Sequence, residues 1–224
     1  EVDTTVNHKA QTDVTGSVTT SGSQAYTAAN EVDHAVDLKG NGYGGATVNA
    51  NSMTSNLGYA AKVNLDKATL AATGEGGSLT AEAGTGGTMT YLNQLKSAGV
   101  IPVTVAKSTN TVTYDNGVSA TDSTLTTGKA DQDITLAAHD ETRASFKTVA
   151  DTQGGAVGAA SASMTNTLSR SNKIALSGGR LESMNDVNLY AGADQEGINS
   201  SLDYSAISDA YNRTALPIAT APSL

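Results

Sequence analysis

The sequence has few of the residues that usually build a thick protein core. Its 224 residues include no cysteine, no tryptophan and one phenylalanine, and 38% of them are hydrophobic. Without cysteine the chain cannot form a disulfide scaffold, a thiolate nucleophile or a Cys-ligated metal site. The scarcity of large aromatic residues predicts a thin core of Val, Ile, Leu and Ala, unlike the core of a compact enzyme.

Charged residues are also scarce. They make up 16% of the chain, and 13 basic against 22 acidic residues leave a net charge of -9. Nucleic acids and anionic membrane surfaces are bound through basic patches, so we expect neither as a partner. No stretch approaches the roughly 20 consecutive apolar residues of a membrane-spanning helix, so we also expect no membrane insertion. The start at Glu1 without a signal segment favours a processed product or an internal segment of a longer protein.

What the sequence does have is internal repetition. Residues 44–83 and residues 154–191 share the order of a glycine pair, Met-Thr, Lys-Val/Ile-x-Leu and a final aliphatic strand. The glycine pairs are offset by 110 (154 − 44), and Val63 and Ile174 are offset by 111 (174 − 63). A third repeat covers residues 111–138, and a fragment of a fourth covers residues 25–29.

Within each repeat, apolar and polar residues alternate, as at Val63 and Leu65 or at Ile134 and Leu136. This period is typical of a strand with one buried face. Short strands fit either a sandwich or a β-solenoid, but a sandwich has no reason to repeat its sequence. We therefore predict an all-β chain that forms a parallel β-helix, with about two coils per repeat and about 22 residues per coil, each coil adding about 4.8 Å.

Two passages break the pattern. Residues 91–102 show helix-like spacing of Leu92 and Leu95 followed by Gly99, which predicts a short inserted helix or loop within residues 86–110. Residues 198–224 are predicted to form an irregular or briefly helical tail or cap. The whole chain, residues 1–224, is then a single β-solenoid segment.

Two sequence segments resemble a known protein family. Residues 178–192 read Gly-Gly-Arg-Leu-Glu-Ser-Met-Asn-Asp-Val-Asn-Leu-Tyr-Ala-Gly, which resembles the coil of filamentous haemagglutinin-type adhesins: a glycine, a buried aliphatic residue, a polar turn and Asp-Val-x-Leu-x-Ala. Residues 210–217, Ala-Tyr-Asn-Arg-Thr-Ala-Leu-Pro, resemble segments of leukotoxin-like filamentous adhesins of anaerobic Gram-negative bacteria. The resemblance covers roughly residues 37–220 and is poorest at residues 85–110.

The resemblance implies a right-handed parallel β-helix within a large exported surface protein. The secretion module of the family, with its Asn-Pro motifs, is not in this sequence, so an internal shaft portion is expected. Its location would be extracellular, on the bacterial cell surface. Its partners would be neighbouring coils of the parent chain, another copy stacked end to end into a fibre, or a host glycan or surface protein.

Catalytic motifs are missing from the sequence. His8, His34 and His139 have no nucleophile motif beside them, and no Gly-x-Ser-x-Gly elbow or phosphate-binding loop occurs. The run of His139, Asp140 and Glu141 is predicted to be a solvated turn and not a metal site, because neighbours in an extended segment face opposite sides. We expect no catalytic residues, no cofactor and no bound metal, and hence no enzyme.

Two weaker features could indicate binding. Asp131 with Asp133, and Asp194 with Glu196, could bind calcium weakly, but ordinary surface acids are the favoured interpretation because residues 39–45 and these pairs lack a calcium-loop pattern. Tyr91 and Tyr114 are the only plausible start of a sugar cleft, and surface packing is favoured for them. The leading hypothesis is a structural shaft segment that supports attachment. A glycan- or protein-binding module that uses residues 86–110 or the tail comes second, and a polysaccharide-cleaving β-helix comes third.

Overall fold

The computed structural model describes residues 1–220 and shows an all-β chain whose ten strands form one parallel sheet. No helix occurs in these residues. The strands are β1 (Val2–Thr20), β2 (Gln24–Ala72), β3 (Leu79–Thr121), β4 (Thr124–Thr127), β5 (Ile134–Gln153), β6 (Val157–Ser177), β7 (Arg180–Glu182), β8 (Val187–Ala191), β9 (Ser201–Arg213) and β10 (Leu216–Thr220).

The strands stack because the chain returns at a regular interval to pair with itself. Gln24 in β2 pairs with Leu79 in β3, and Leu79 pairs with Ile134 in β5, an offset of 55 at both steps (79 − 24 and 134 − 79). In the second half of β3, Val103 pairs with Ala159 in β6, an offset of 56 (159 − 103). We call each stretch of chain between such partners a layer.

The layer length corrects the predicted coil. The offset of 110 between the glycine pairs spans two layers, so a layer is more than twice as long as the coil predicted from the sequence. The third repeat, in which Val112 was the predicted equivalent of Val63, is also six residues out of register (118 − 112), since Val63 pairs with Val118. Alternation reveals a strand but not its length, and β3 continues through the polar residue Asn116, whose side chain is buried.

Each layer folds back on itself through a tight turn. In the second layer, Thr85 Oγ1 donates to Asn116 Oδ1 at 2.7 Å and Asn93 Nδ2 donates to the Lys107 carbonyl at 2.8 Å, so the two halves of β3 face each other. We call residues 79–98 and their equivalents the outgoing limb, and residues 103–121 and their equivalents the returning limb. Glycines occupy the turn in each layer: Gly44 and Gly45, Gly99, and Gly154 and Gly155.

The space between the limbs is filled by three kinds of side chain. An aliphatic cluster that includes Leu70, Leu79 and Ile134 occupies the end away from the glycine turns. An aromatic cluster occupies the middle. Nearer the turn the buried side chains are polar, and Thr148 donates to Ser108 at 2.7 Å and Thr152 to Thr104 at 2.7 Å.

The aromatic cluster corrects the prediction for Tyr91 and Tyr114. Both rings are fully buried, and they stack on the aromatic residue of the adjacent layer: Tyr91 on Phe146 at 5.4 Å and Tyr114 on Tyr59 at 5.8 Å between ring centroids. Four of the few aromatic residues are therefore buried between the limbs. Neither Tyr91 nor Tyr114 is available for a sugar cleft.

The predicted insertion at residues 86–110 is also wrong. These residues lie within β3, which pairs with β2 over residues 79–99 and 101–121. Tyr91, Asn93, Leu95 and Ser97 face inward in strand alternation, while Leu92 faces outward. Because two of these four inward residues are polar, a hydrophobic pattern read from the sequence does not reveal the strand.

The predicted irregular tail also differs from the structure. Ser201 to Arg213 form β9, which pairs with β5 from Glu141 to Gln153, and β10 pairs with β6. These strands belong to a further layer stacked on the third. The last four residues of the predicted tail lie outside the described residues.

Candidate functional site

A large groove lies on the outer face of the outgoing limbs and has a volume of about 760 Å³. Four successive limbs, which belong to β2, β3, β5 and β9, and the loop between β8 and β9 contribute to it. Its charged lining is mostly acidic, and we call it the acidic groove. The charged side chains are those of Glu31, Glu82, His139, Glu141, Arg143, Asp194, Glu196 and Asp203.

At the centre of the acidic groove, His139 pairs with Glu82. The two side chains come from adjacent layers, and His139 Nε2 lies 3.1 Å from Glu82 Oε1. The imidazole lies against Gly84, where a Cβ would overlap it. Glu82 Oε1 also accepts the Gln195 backbone amide at 3.3 Å, which ties the β8–β9 loop to the groove.

The residue between His139 and Glu141 points the other way. Asp140 is fully buried, and its Oδ2 accepts Arg170 Nε at 2.8 Å and Nη2 at 2.6 Å. Its Oδ1 accepts Asn172 Nδ2 at 2.6 Å. The expectation that neighbours here face opposite sides is confirmed, but the predicted solvated turn is wrong because residues 139–141 lie within β5.

One carboxylate of each acidic pair holds a loop in place. Asp133 Oδ1 accepts Asn185 Nδ2 at 2.8 Å and the Asp186 amide at 3.1 Å. Asp194 Oδ1 accepts the amides of Glu196 at 3.0 Å and Ile198 at 2.7 Å, which shapes the turn beside the acidic groove. Within residues 1–220, no three His, Asp or Glu side chains come together in a way that could hold a metal ion.

The other two histidines contact the aromatic cluster. The His8 ring lies 6.2 Å from Tyr59, and the His34 ring lies 5.7 Å from Tyr91. Each histidine therefore lies at the end of an aromatic column, where it contacts the first buried tyrosine.

Burial also changes the acid–base behaviour of the aromatic cluster. Removal from water raises the pKa of Tyr59 to about 12, with Tyr114 as a smaller cause. The same desolvation raises the pKa of Tyr91 further. A phenol in such surroundings favours its neutral form because the charged form loses its hydration.

Sequence reasoning missed the acidic groove because its residues come from different layers. Glu31, Gly86 and Glu141 are stacked in one column although each lies a full layer from the next along the chain. No short motif contains two of them. Aligning the sequence with itself at the layer offset would have placed them together.

Comparison with known proteins adds no relative. A scan against protein-family models, a search of curated proteins and a search of solved structures each find no match for this chain. Residues 1–220 contain no helix long and apolar enough to span a membrane.

Proposed function

We propose that the chain is a shaft segment of a large secreted surface adhesin of a Gram-negative bacterium, built as a right-handed parallel β-solenoid. One observation carries the proposal: successive layers repeat in register at a nearly constant offset, so each inward side chain stacks on its equivalent in the next layer. A stack in which each layer contacts its neighbours can extend along one axis. Connections between parallel strands in one sheet are almost always right-handed, which supports the proposed hand.

The length of the ladders supports a mechanical role. β2 and β3 alone are paired over more than forty positions, and the other edge of β3 pairs with β5 and β6. Separating two layers would break a whole row of backbone hydrogen bonds together with the stacked side chains. A stack of this kind resists bending and holds whatever lies at its end away from the cell.

The two ends of the stack favour association with further layers. Among residues 1–220, no strand pairs with the outer edges of β1 and β9. Apolar residues are exposed near both ends, with Tyr43 and Val48 in the first full layer and Leu189 and Ile207 in the last. Unpaired edges with apolar surface attract another strand. We propose that neighbouring layers of the parent chain, or a second copy stacked end to end, cover them.

Pulling on single molecules tests the shaft role. With handles at the two termini, we expect unfolding in steps that each release one layer of about 55 residues, or roughly 190 Å of extended chain. Shorter steps of the coil length predicted from the sequence, or one collapse of the whole chain at low force, would contradict a stack of long layers that bears load.

Surface labelling tests the proposed location. Antibodies raised against this chain should label intact cells of the source bacterium, and brief protease treatment of those cells should remove the label. Label seen only after the cells are lysed would exclude a surface shaft. The role is mechanical, so we also expect the purified chain to release no reducing ends from acidic polysaccharides.

A further inference from the structure

A second groove lies on the same outer face, closer to the glycine turns. It has a volume of about 410 Å³, and three successive outgoing limbs form it. We call it the basic groove. Its lining residues are Leu92, Gln94, Lys96, Lys147, Val149, Asp151, Tyr211 and Arg213.

The basic groove gathers positive charge in an acidic protein. Lys96, Lys147 and Arg213 are three of only 13 basic residues in a chain of net charge -9, and each comes from a different layer. Two carboxylates, Asp151 and Asp209, lie near them. The basic groove thus sets three cationic side chains beside carboxylate acceptors, whereas the acidic groove sets Arg143 and His139 among six carboxylates.

Asp151 is a mostly buried carboxylate in the basic groove, and one of its oxygens accepts no hydrogen bond. Its side chain is 8% exposed, and its Oδ2 accepts Gln153 Nε2 at 2.8 Å. Its Oδ1 accepts no hydrogen bond and has only the Arg213 Nε at 3.8 Å. A buried carboxylate oxygen without a donor is costly, and a hydroxyl group that reached it after a small shift of the exposed Arg213 would remove that cost.

Tyr211 supplies a flat apolar surface beside these charges. Its ring is about half exposed, and the Arg213 guanidinium carbon lies 5.9 Å from the ring centroid. The neighbouring Asp209 raises the pKa of Tyr211, so its hydroxyl stays protonated. An aromatic ring with one apolar face and one polar tip suits a ligand that is itself flat on one side and rich in hydroxyl groups.

We propose that the basic groove binds an acidic carbohydrate. Lys96 and Lys147 contact its carboxylate or sulfate, Tyr211 packs against a sugar ring, and Asp151 Oδ1 accepts a sugar hydroxyl. Charge-assisted contacts of this kind are the stronger hydrogen bonds at a protein surface. This inference goes beyond the shaft role and does not depend on it, since pulling measurements and ligand titrations report on different properties.

Titration of the full chain with defined saccharides tests the proposal. The probes are 3′-sialyllactose for a carboxylate sugar, a heparin tetrasaccharide for a sulfated one, and lactose as the neutral control, followed by calorimetry at low salt. We expect one or both acidic probes to bind, lactose not to bind, and added salt to weaken the binding. No binding by either acidic probe, or equal binding of lactose, would overturn the proposal.

Paired variants locate the binding. Lys96→Gln with Lys147→Gln should weaken the acidic probe about tenfold or more, because two charge-assisted contacts are lost. Lys107→Gln with Lys129→Gln removes the same charge from exposed lysines outside the groove and should leave the affinity within about twofold. Equal loss in both double variants would mean general charge attraction and would overturn the assignment to this groove.

Tyr211 gives a second, independent check. Tyr211→Ala should weaken binding clearly, whereas Tyr211→Phe keeps the ring and should retain most of the affinity. Thermal melting of each variant confirms that it is folded, which we expect since Tyr211 is about half exposed. Unchanged binding by a folded Tyr211→Ala protein would exclude the proposed stacking.

Discussion

At the scale of the residue, we expect the ion pair between Asp140 and Arg170 to contribute strongly to the stability of the fold. Asp140 is fully buried, while its partner Arg170 keeps about a third of its side chain exposed. Asp140 also takes a hydrogen bond from Asn172, so it is satisfied only while its neighbours are in place. In a buried pair, removing one partner leaves the other uncompensated, and this is where most of the cost arises.

Arg170→Met should therefore destabilise the fold by about 3–5 kcal/mol, because the Asp140 carboxylate would remain buried without its counter-charge. Arg180→Met is the matched control, since Arg180 and Glu182 form an exposed pair at 2.6 Å that should contribute at most about 1 kcal/mol. Urea unfolding followed by circular dichroism measures both. Equal effects of the two changes would show that Asp140 is not held by Arg170.

The buried tyrosines make a prediction about alkaline stability. The pKa of Tyr59 is raised to about 12 in the folded protein, above its ordinary value of 10.0. Ionisation of Tyr59 therefore leaves the stability unchanged below pH 10 and lowers it as the pH rises from 10 toward 12, because the unfolded chain ionises first. Tyr59→Phe should remove this loss, worth up to about 3 kcal/mol by pH 12, and unfolding measured at pH 8 and pH 11.5 tests it.

Tyr43→Phe serves as the control, since this side chain is 77% exposed. We expect it to leave the alkaline loss of stability as it is in the wild-type protein. At pH 8, Tyr59→Phe should be as stable as wild type or slightly more so, because the Tyr59 hydroxyl is buried without a hydrogen-bond partner. A strong loss at pH 8 would contradict this.

At the scale of the element, the glycine turns fix where each limb reverses. A Cβ at Gly99 would overlap the Gly44 carbonyl oxygen of the adjacent layer, whereas a Cβ at Gly45 would meet no atom within 4 Å. Gly99→Ala should cost at least about 1 kcal/mol, and Gly45→Ala should change stability by less than about 0.5 kcal/mol. Thermal unfolding of the two variants compares them directly, and equal melting temperatures would show that the layers do not approach so closely at this turn.

The elements also show what the sequence could and could not reveal. Strict alternation at Ile134 and Leu136 predicted a strand, which is confirmed, and the structure stacks Leu79, Ile134 and Val187 in one column. The strand at residues 86–110 was not predicted because the polar residues Asn93 and Ser97 occupy inward positions. A polar side chain is stable there only if residues across the layer accept its hydrogen bonds. These acceptors lie in the returning limb, so no local sequence pattern indicates them.

The candidate grooves escaped prediction for a related reason. Lys96, Lys147 and Arg213 lie far apart along the chain, and pairing between layers alone brings them to one face. The two segments suspected of binding, residues 86–110 and the tail, do meet in the basic groove, but as strands and not as protrusions. Composition alone could not locate them, because the chain as a whole is acidic.

At the scale of the whole molecule, the layer is the unit of the fold. Deleting residues 90–144 removes one whole layer and joins Met89 to Ser145, the residue that follows its own partner Ala144. We expect the shortened protein to fold with the same parallel β structure, since inward residues stay inward. Deleting residues 90–143 instead leaves one extra residue and reverses the two faces of the following strand, which should prevent folding.

Circular dichroism and cooperative thermal unfolding distinguish these two deletions. A folded protein after deletion of residues 90–143 would mean that the register of the stack is not fixed by its inward side chains. An unfolded protein after deletion of residues 90–144 would mean that the second layer makes contacts that the others cannot replace. Both outcomes address the stack without reference to any ligand.

The length of the layer has a consequence for how a parent protein would be made. Each layer adds about 4.8 Å of height, so a stalk of about 200 Å needs roughly 42 layers, or about 2,300 residues. A ribosome working at about 5–20 residues per second would need roughly two to eight minutes to complete it. The newest layer would offer its open edge as the template on which the next one forms, so the stalk would lengthen one layer at a time.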